Sequence, residues 1–244
     1  MGRPGFQARG LTEANALTLY ANKRRKSSRW QASSVNPRSE LLWYHRPVRL
    51  GLDLPSAVSR QFDVAGFGLN SVDLLAVVAE HPQPNTKQRI RKLALLPGGQ
   101  AATAMVTCAR LGWRARYIGR FGDEDNGKRA REGLEAEGVD ISACQDVAGA
   151  SNGFAVILVD ARSGDRTIMW DRHPGLAMQP ADVPKTAIAS ARILLVDCHE
   201  TQAATEAARY AHEVGTPTVI DVERVRPGID DLLREIDIII AAQE

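Results

Sequence analysis

The chain is poor in cysteine. Its three, Cys108, Cys144 and Cys198, fall far apart with no CxxC pair. That excludes a disulfide framework and a cysteine zinc site, and it suits a reducing cytoplasm. Cys108 falls in an apolar helical pattern and reads as core rather than as a nucleophile. No apolar run approaches the roughly 18 to 20 residues that cross a bilayer, so no membrane partner is expected. Acidic residues are scarce at the front: residues 1–60 hold 11 Lys/Arg against 3 Asp/Glu, and the rest of the chain holds 20 against 26. The net charge of +2 therefore hides a basic leader ahead of an acidic body. A nucleic-acid partner would rest on that leader alone, and none is expected for the body. Residues 1–60 also lack any sustained period of 2 or 3.6. They lack the continuous apolar core of a secretory signal, which excludes export. They read as a disordered leader, and their Arg- and Ser-rich, acid-poor composition leaves a transit peptide open.

What is present is the composition of a globular domain, 44% hydrophobic and 25% charged, in a length that buries a core of its own. Order begins at Phe62. Short apolar runs over 62–68, 74–79 and 87–96, closed by glycine or proline, predict strands. The spacing predicts a helix over 100–111 stopped at Gly112, a strand over 114–119, and an amphipathic helix over 125–137 stopped at Gly138. Strands over 153–160 and 166–170 flank a hairpin turn at 161–165. A strand at 193–197, a helix at 201–214, a strand at 218–222, a short helix near 229–234 and a strand at 236–241 complete the pattern. The last strand is nearly all apolar, as one covered on both faces should be. This alternation is that of an α/β fold: a mostly parallel sheet with helices on both faces, forming one domain over 61–244.

Three motifs carry chemistry. Gly66-Phe-Gly68-Leu-Asn70-Ser71 comes close to the dinucleotide fingerprint, but it lacks the third glycine and the helix that must follow. Pro97-Gly98-Gly99-Gln100-Ala101-Ala102-Thr103-Ala104 is a diglycine turn into a helix of small residues. It either lets a ligand reach backbone N–H groups at the helix N-terminus or is a plain tight turn. Gly122-Asp123-Glu124-Asp125-Asn126-Gly127 places acids at a helix start, where a cap is favoured over a metal site.

Taken together, the strand ending in glycine, Asp73, the diglycine run, Gly112 and the GRFGDEDNG run resemble the first signature of the ribokinase/PfkB carbohydrate kinases. The resemblance runs from Phe62 to the chain's end. It implies a ribokinase-like sheet with a small β lid drawn from strands at about 62–96 and 153–170 (62–70, 87–96, 153–160 and 166–170). It implies that Asp73 accepts hydrogen bonds from sugar hydroxyls, that Gly98 and Gly99 lie against the sugar, and that Gln100 contacts it. Thr103 stands where the family has asparagine, and Met105 where it has a small residue. Asp197, His199, Asp221 and Glu223 fall at strand ends, in the expected substrate or phosphate region. No metal ligand set is readable. Arg89, Arg91 and Arg172 either pair with an acidic sugar or are solvated charges, the second being favoured. The implied cofactors are ATP and Mg²⁺, the implied partners a small-molecule sugar and a second copy joined through the lid.

The family's second signature, Asp-x-x-Gly-Ala-Gly-Asp, holds the general base and does not occur in these 244 residues. No catalytic residue is therefore assigned. The expectation is a sugar kinase lacking the C-terminal part of its domain and unable to transfer phosphate as given. A non-catalytic sugar-binding protein or pseudogene product, and a nucleoside kinase of the same fold, are the alternatives.

Overall fold

The computed structural model describes residues 52–241. Expectations placed on residues 1–51, most of the basic leader, lie outside the described residues. Residues 55–60 are tied to the body: Arg192 donates to the Pro55 carbonyl, and Arg60 to those of Ala189 and Val214.

β1 (Val64–Phe67) is buried from end to end. Its alternation sends Val64 into one apolar cluster and Ala65 and Phe67 into another, so the strand is covered on both faces. It pairs in parallel with β4 (Ala115–Ile118) on one side and β9 (Leu194–Asp197) on the other. β9 pairs in parallel with β10 (Thr218–Val222), and β10 with β11 (Ile238–Ala241). The main sheet is thus five parallel strands in the order β11-β10-β9-β1-β4.

α1 (Gln100–Arg110) covers one face with Ala101, Ala102 and Met105, which pack with Val64, Ala115 and Tyr117. α2 (Asp125–Ala136) adds Ala130 and Leu134 to the same cluster. α4 (Thr201–Glu213) covers the other face. Its Ala203, Ala204, Ala207, Ala208 and Ala211 recur at helical spacing and are fully buried, so the helix backbone lies close on the sheet. The short α3 (Lys185–Ala189) and α5 (Ile229–Leu233) pack beside it.

A second sheet, order β3-β2-β7-β8, joins β2 (Ser71–Val78), β3 (Lys92–Gly98), β7 (Phe154–Asp160) and β8 (Arg166–Asp171). β2 runs antiparallel to β3 and parallel to β7, and β7 antiparallel to β8. Pro97 is tolerated in β3 because that strand is an edge. α2 crosses it so closely that a Cβ on Gly133 would come within 2.4 Å of the Pro97 ring. A parallel pair, β5 (Arg120–Gly122) and β6 (Gln145–Val147), lies between the sheets in the chain.

These strands correct the expected lid. Residues 64–67 form a central strand of the main sheet, because both of their faces are apolar, and β2 at 71–78 takes the lid position instead. Residues 87–91 form no strand, and β3 begins at Lys92. β11 also departs from expectation. It is the outermost strand, bonded on one side to β10, and Ile239 and Ile240 are about half exposed.

Candidate functional site

The connections locate the site. From β1 the chain passes through β2, β3 and α1 to β4 on one side, while β9, β10 and β11 succeed one another on the other. The order reverses between β1 and β9. In open α/β sheets, ligands bind outside the carboxyl ends of the strands at such a switch. Residues 68–70 leave β1 there, and residues 197–199 leave β9 there.

Asp197 knits these loops together. Its Oδ2 accepts the Leu69 N–H at 2.6 Å and its Oδ1 accepts the His199 N–H at 3.0 Å, and the backbone N–H of Ala101, in the first turn of α1, adds to the stabilisation of its charge. Burial pushes its carboxyl up, and the three donors oppose that shift. Gly68 has φ +155°, and a Cβ there would fall 2.1 Å from Asp197 Oδ2. Asp197 therefore organises the rim through backbone bonds.

Asp73 stands on β2 with the Ser71 hydroxyl donating to its Oδ1 at 2.8 Å. Burial raises its carboxyl above the usual range, against that one bond. A Cβ on Gly98 would lie 2.2 Å from Asp73 Oδ2. Gly99 has φ +97°, and a Cβ there would lie 2.4 Å from the Leu69 carbonyl oxygen. The diglycine is thus required twice over, once by conformation and once by close approach to the β1 loop. Gln100 starts α1 and donates from Nε2 to Asp221 Oδ2 at 3.1 Å, which leaves its Oε1 buried without a partner. Burial raises the Asp221 carboxyl, Gln100 opposes this, and the Asp197 and Glu223 carboxylates add to it.

His199 is 14% exposed, and its Nε2 is buried without a hydrogen bond, 3.9 Å from Glu223 Oε2. Burial and the nearby Arg226 guanidinium depress its pKa to about 4, so the ring is neutral at neutral pH. Arg226 Nε is likewise buried and unpartnered. Asp73, Gly98, Gly99, Gln100, Asp197 and Asp221 are therefore linked by direct contacts beside the carboxyl ends of β1, β9 and β10, where such sheets open a crevice, with His199 and Glu223 beyond them. Thr103 lies one turn into α1, half-buried.

Arg172 is neither a solvated charge nor free for a substrate. It forms an ion pair with Glu200, side chains 17% and 11% exposed, and donates from Nη2 to the Leu176 carbonyl at 2.9 Å. Arg89 and Arg91 are exposed. Of the acids before α2, Glu124 is the cap, accepting the N–H groups of Asn126 and Gly127 and also that of Asn152, while Asp123 accepts the N–H of Gly149 outside the helix. Among the described residues no cluster of three His, Cys, Asp or Glu is arranged to hold a metal ion.

The family model for pfkB family carbohydrate kinases matches residues 61–244. The chain belongs to the pfkB family of carbohydrate kinases. It is 28% identical over 160 residues to a nucleoside kinase of Methanothermobacter thermautotrophicus, covering 65% of this chain and 51% of that protein. It is 28% identical over 152 residues to an ATP-dependent ribose-1-phosphate kinase of Halopiger xanaduensis, covering 62% and 51%. A fructokinase of Klebsiella pneumoniae is 35% identical over 98 residues, covering 39% and 32%. This chain thus spans about half the length, or less, of these relatives. The Arabidopsis thaliana ribokinase, solved with ribose and ATP, superposes with TM-score 0.59 at 21% identity over 74% of this chain and 60% of that one. The Giardia lamblia ribokinase gives TM-score 0.65 at 18% identity over 74% and 58%. These two establish the fold, as the ribokinase-like pattern of the sequence implied.

One polar residue beside the diglycine escapes notice in the sequence. Asn70 donates from Nδ2 to the Tyr117 hydroxyl at 2.9 Å and the Arg120 carbonyl at 2.7 Å, and its Oδ1 is buried without a partner. Tyr117 in turn donates to the Gly68 carbonyl at 2.6 Å. The signal it offers is a polar residue two positions past the glycine that closes a strand, inside a run that comes close to a dinucleotide fingerprint.

Proposed function

We propose that the crevice binds the hydroxyl acceptor of an ATP-dependent carbohydrate kinase, the γ-phosphate of ATP being transferred to a sugar hydroxyl in the whole enzyme. The observation that carries this is the meeting of Asp73 with the diglycine. A half-buried carboxylate with one oxygen bonded only to Ser71 lies against backbone from which side chains are excluded. A carboxylate accepts hydrogen bonds from two neighbouring hydroxyls, and bare backbone lets a sugar ring approach. Asp73, Gly98, Gly99 and Gln100 are assigned to the acceptor, and Asp221 to the boundary with the phosphate region. Thr103 is assigned a peripheral contact, in place of the family's asparagine.

For ATP, the described group that suits a phosphate oxygen is Arg226, with its unpartnered Nε beside His199. Magnesium does not fit the described carboxylates. Asp197 is taken by backbone donors, Asp221 is bonded to Gln100, and Glu223 alone is free of such bonds. No step is derived through the metal. A second copy is proposed to cover the lid face that Asp73 shares with Leu96, Ala155 and Trp170, since Trp170 is 62% exposed there.

Calorimetric titration of the chain with D-ribose and D-fructose tests the reading. Saturable binding that is lost in Asp73→Asn supports it, and no binding by either sugar sinks it. A parallel assay of phosphate transfer from ATP separates acceptor binding from catalysis. The nucleoside-kinase reading is supported by the relative from Methanothermobacter and is tested by adenosine in the same titration.

A further inference from the structure

The polar atoms left over beside Asp73 and the diglycine are of one kind, whereas the unpartnered His199 Nε2 and Arg226 Nε belong to the loops after β9 and β10. Asn70 Oδ1 and Gln100 Oε1 are buried acceptors with no donor, and Asp73 and Asp221 are half-buried carboxylates that accept one side-chain bond each. A buried acceptor without a donor costs free energy until something supplies an O–H or N–H. A hydroxyl supplies one. A carboxylate or phosphate group on the ligand supplies none and sets a second negative charge beside Asp73 and Asp221.

Whether such a charge could be met depends on the cations nearby. Arg172 follows β8 and is close enough to act electrostatically on Asp197 and His199. Both ends of its guanidinium are engaged, one by Glu200 and one by the Leu176 carbonyl. Its charge is spent inside the protein. Arg89 and Arg91 are exposed in the connection between β2 and β3. Arg226 stands in the loop after β10, two strands along the sheet from β1, or about 10 Å.

We propose that this crevice takes an uncharged polyhydroxylated acceptor and rejects carboxylated or phosphorylated ones, and that Glu200, by holding Arg172, sets that choice. The proposal rests on the acceptor-site reading above. It separates this chain from relatives such as the 5-dehydro-2-deoxygluconokinase of Geobacillus kaustophilus, whose name denotes an acidic sugar.

The test is calorimetric titration of the whole chain with matched pairs: D-ribose against D-ribonate, and D-fructose against D-gluconate. The wild-type chain is expected to bind the neutral member roughly 10-fold or more tightly. Glu200→Gln frees Arg172 and should close most of that gap, and Arg172→Gln added to it should reopen the gap. A general loss of packing could not produce such a gain and its reversal. Equal or tighter binding of the acids by the wild-type chain overturns the proposal. So does an unchanged gap in a Glu200→Gln chain that keeps its native circular dichroism. Failure of the charge rule thus appears as acid binding, whereas failure of the acceptor-site reading appears as no binding by any sugar, which removes the proposal with it. Binding of adenosine alongside D-ribose would extend the rule to neutral nucleosides.

Discussion

Burial disfavours the charged form of Asp73. Its carboxyl is desolvated and raised, with a single hydroxyl in compensation. Asp73→Asn keeps the shape and removes the charge, so it should weaken sugar binding at least about 10-fold. The same change should raise Tm by roughly 2–4 °C. Calorimetric titration and a thermal melt on the same sample check both. His199 makes the opposite kind of prediction. Its folded pKa of about 4 lies below the free value of 6.5. Above pH 6.5 both states are neutral and nothing is gained or lost. As pH falls from 6.5 toward 4 the unfolded chain takes the proton first, and stability drops by about 2–3 kcal/mol. Urea melts between about pH 7.5 and 4.5 should show this slope, and His199→Gln should flatten it. Asp73 and the diglycine were legible because acid and glycines are chemically distinctive at that spacing. Asn70 and the Glu200–Arg172 pair were not, since an amide or an ion pair declares its partner only once distant strands are side by side.

Among the elements, α2 depends on one side chain at its start. Glu124 accepts the N–H groups of Asn126 and Gly127 within the helix and of Asn152 ahead of β7. Glu124→Ala leaves three donors without that acceptor and should cost about 1–2 kcal/mol in a urea unfolding curve. Binding of sugar should fall as well, because residue 153 pairs with the chain beside Ser71, the Val72 N–H donating to the Gly153 carbonyl at 2.8 Å. Most elements were legible from period and punctuation: α1, α4 and β10 fall within a residue or so of their expected bounds. β1 was misplaced into the lid because a short apolar run does not reveal which sheet will take it. The three-residue strands β5 and β6 carry too little pattern to be seen.

In the whole molecule, the lid leaves Ile168 and Trp170, two residues apart on one face of β8, 40% and 62% exposed. If a second copy covers this surface, sedimentation velocity should show a dimer at micromolar concentration. Trp170→Glu should then give monomers of unchanged circular dichroism, and a wild-type chain that sediments as a monomer at high concentration would remove that arrangement. The parallel sheet itself was legible as an alternation of strands and helices. Its order was not, because the choice of neighbour is made by burial across the whole core. One feature of that order reaches into heredity. Gly68 and Asp197 occupy almost the same space, the second filling what a side chain on the first would need. Neither position can drift alone. In any set of related sequences the two should change as a pair, so that a lineage gaining a side chain at 68 has already given up the acid at 197.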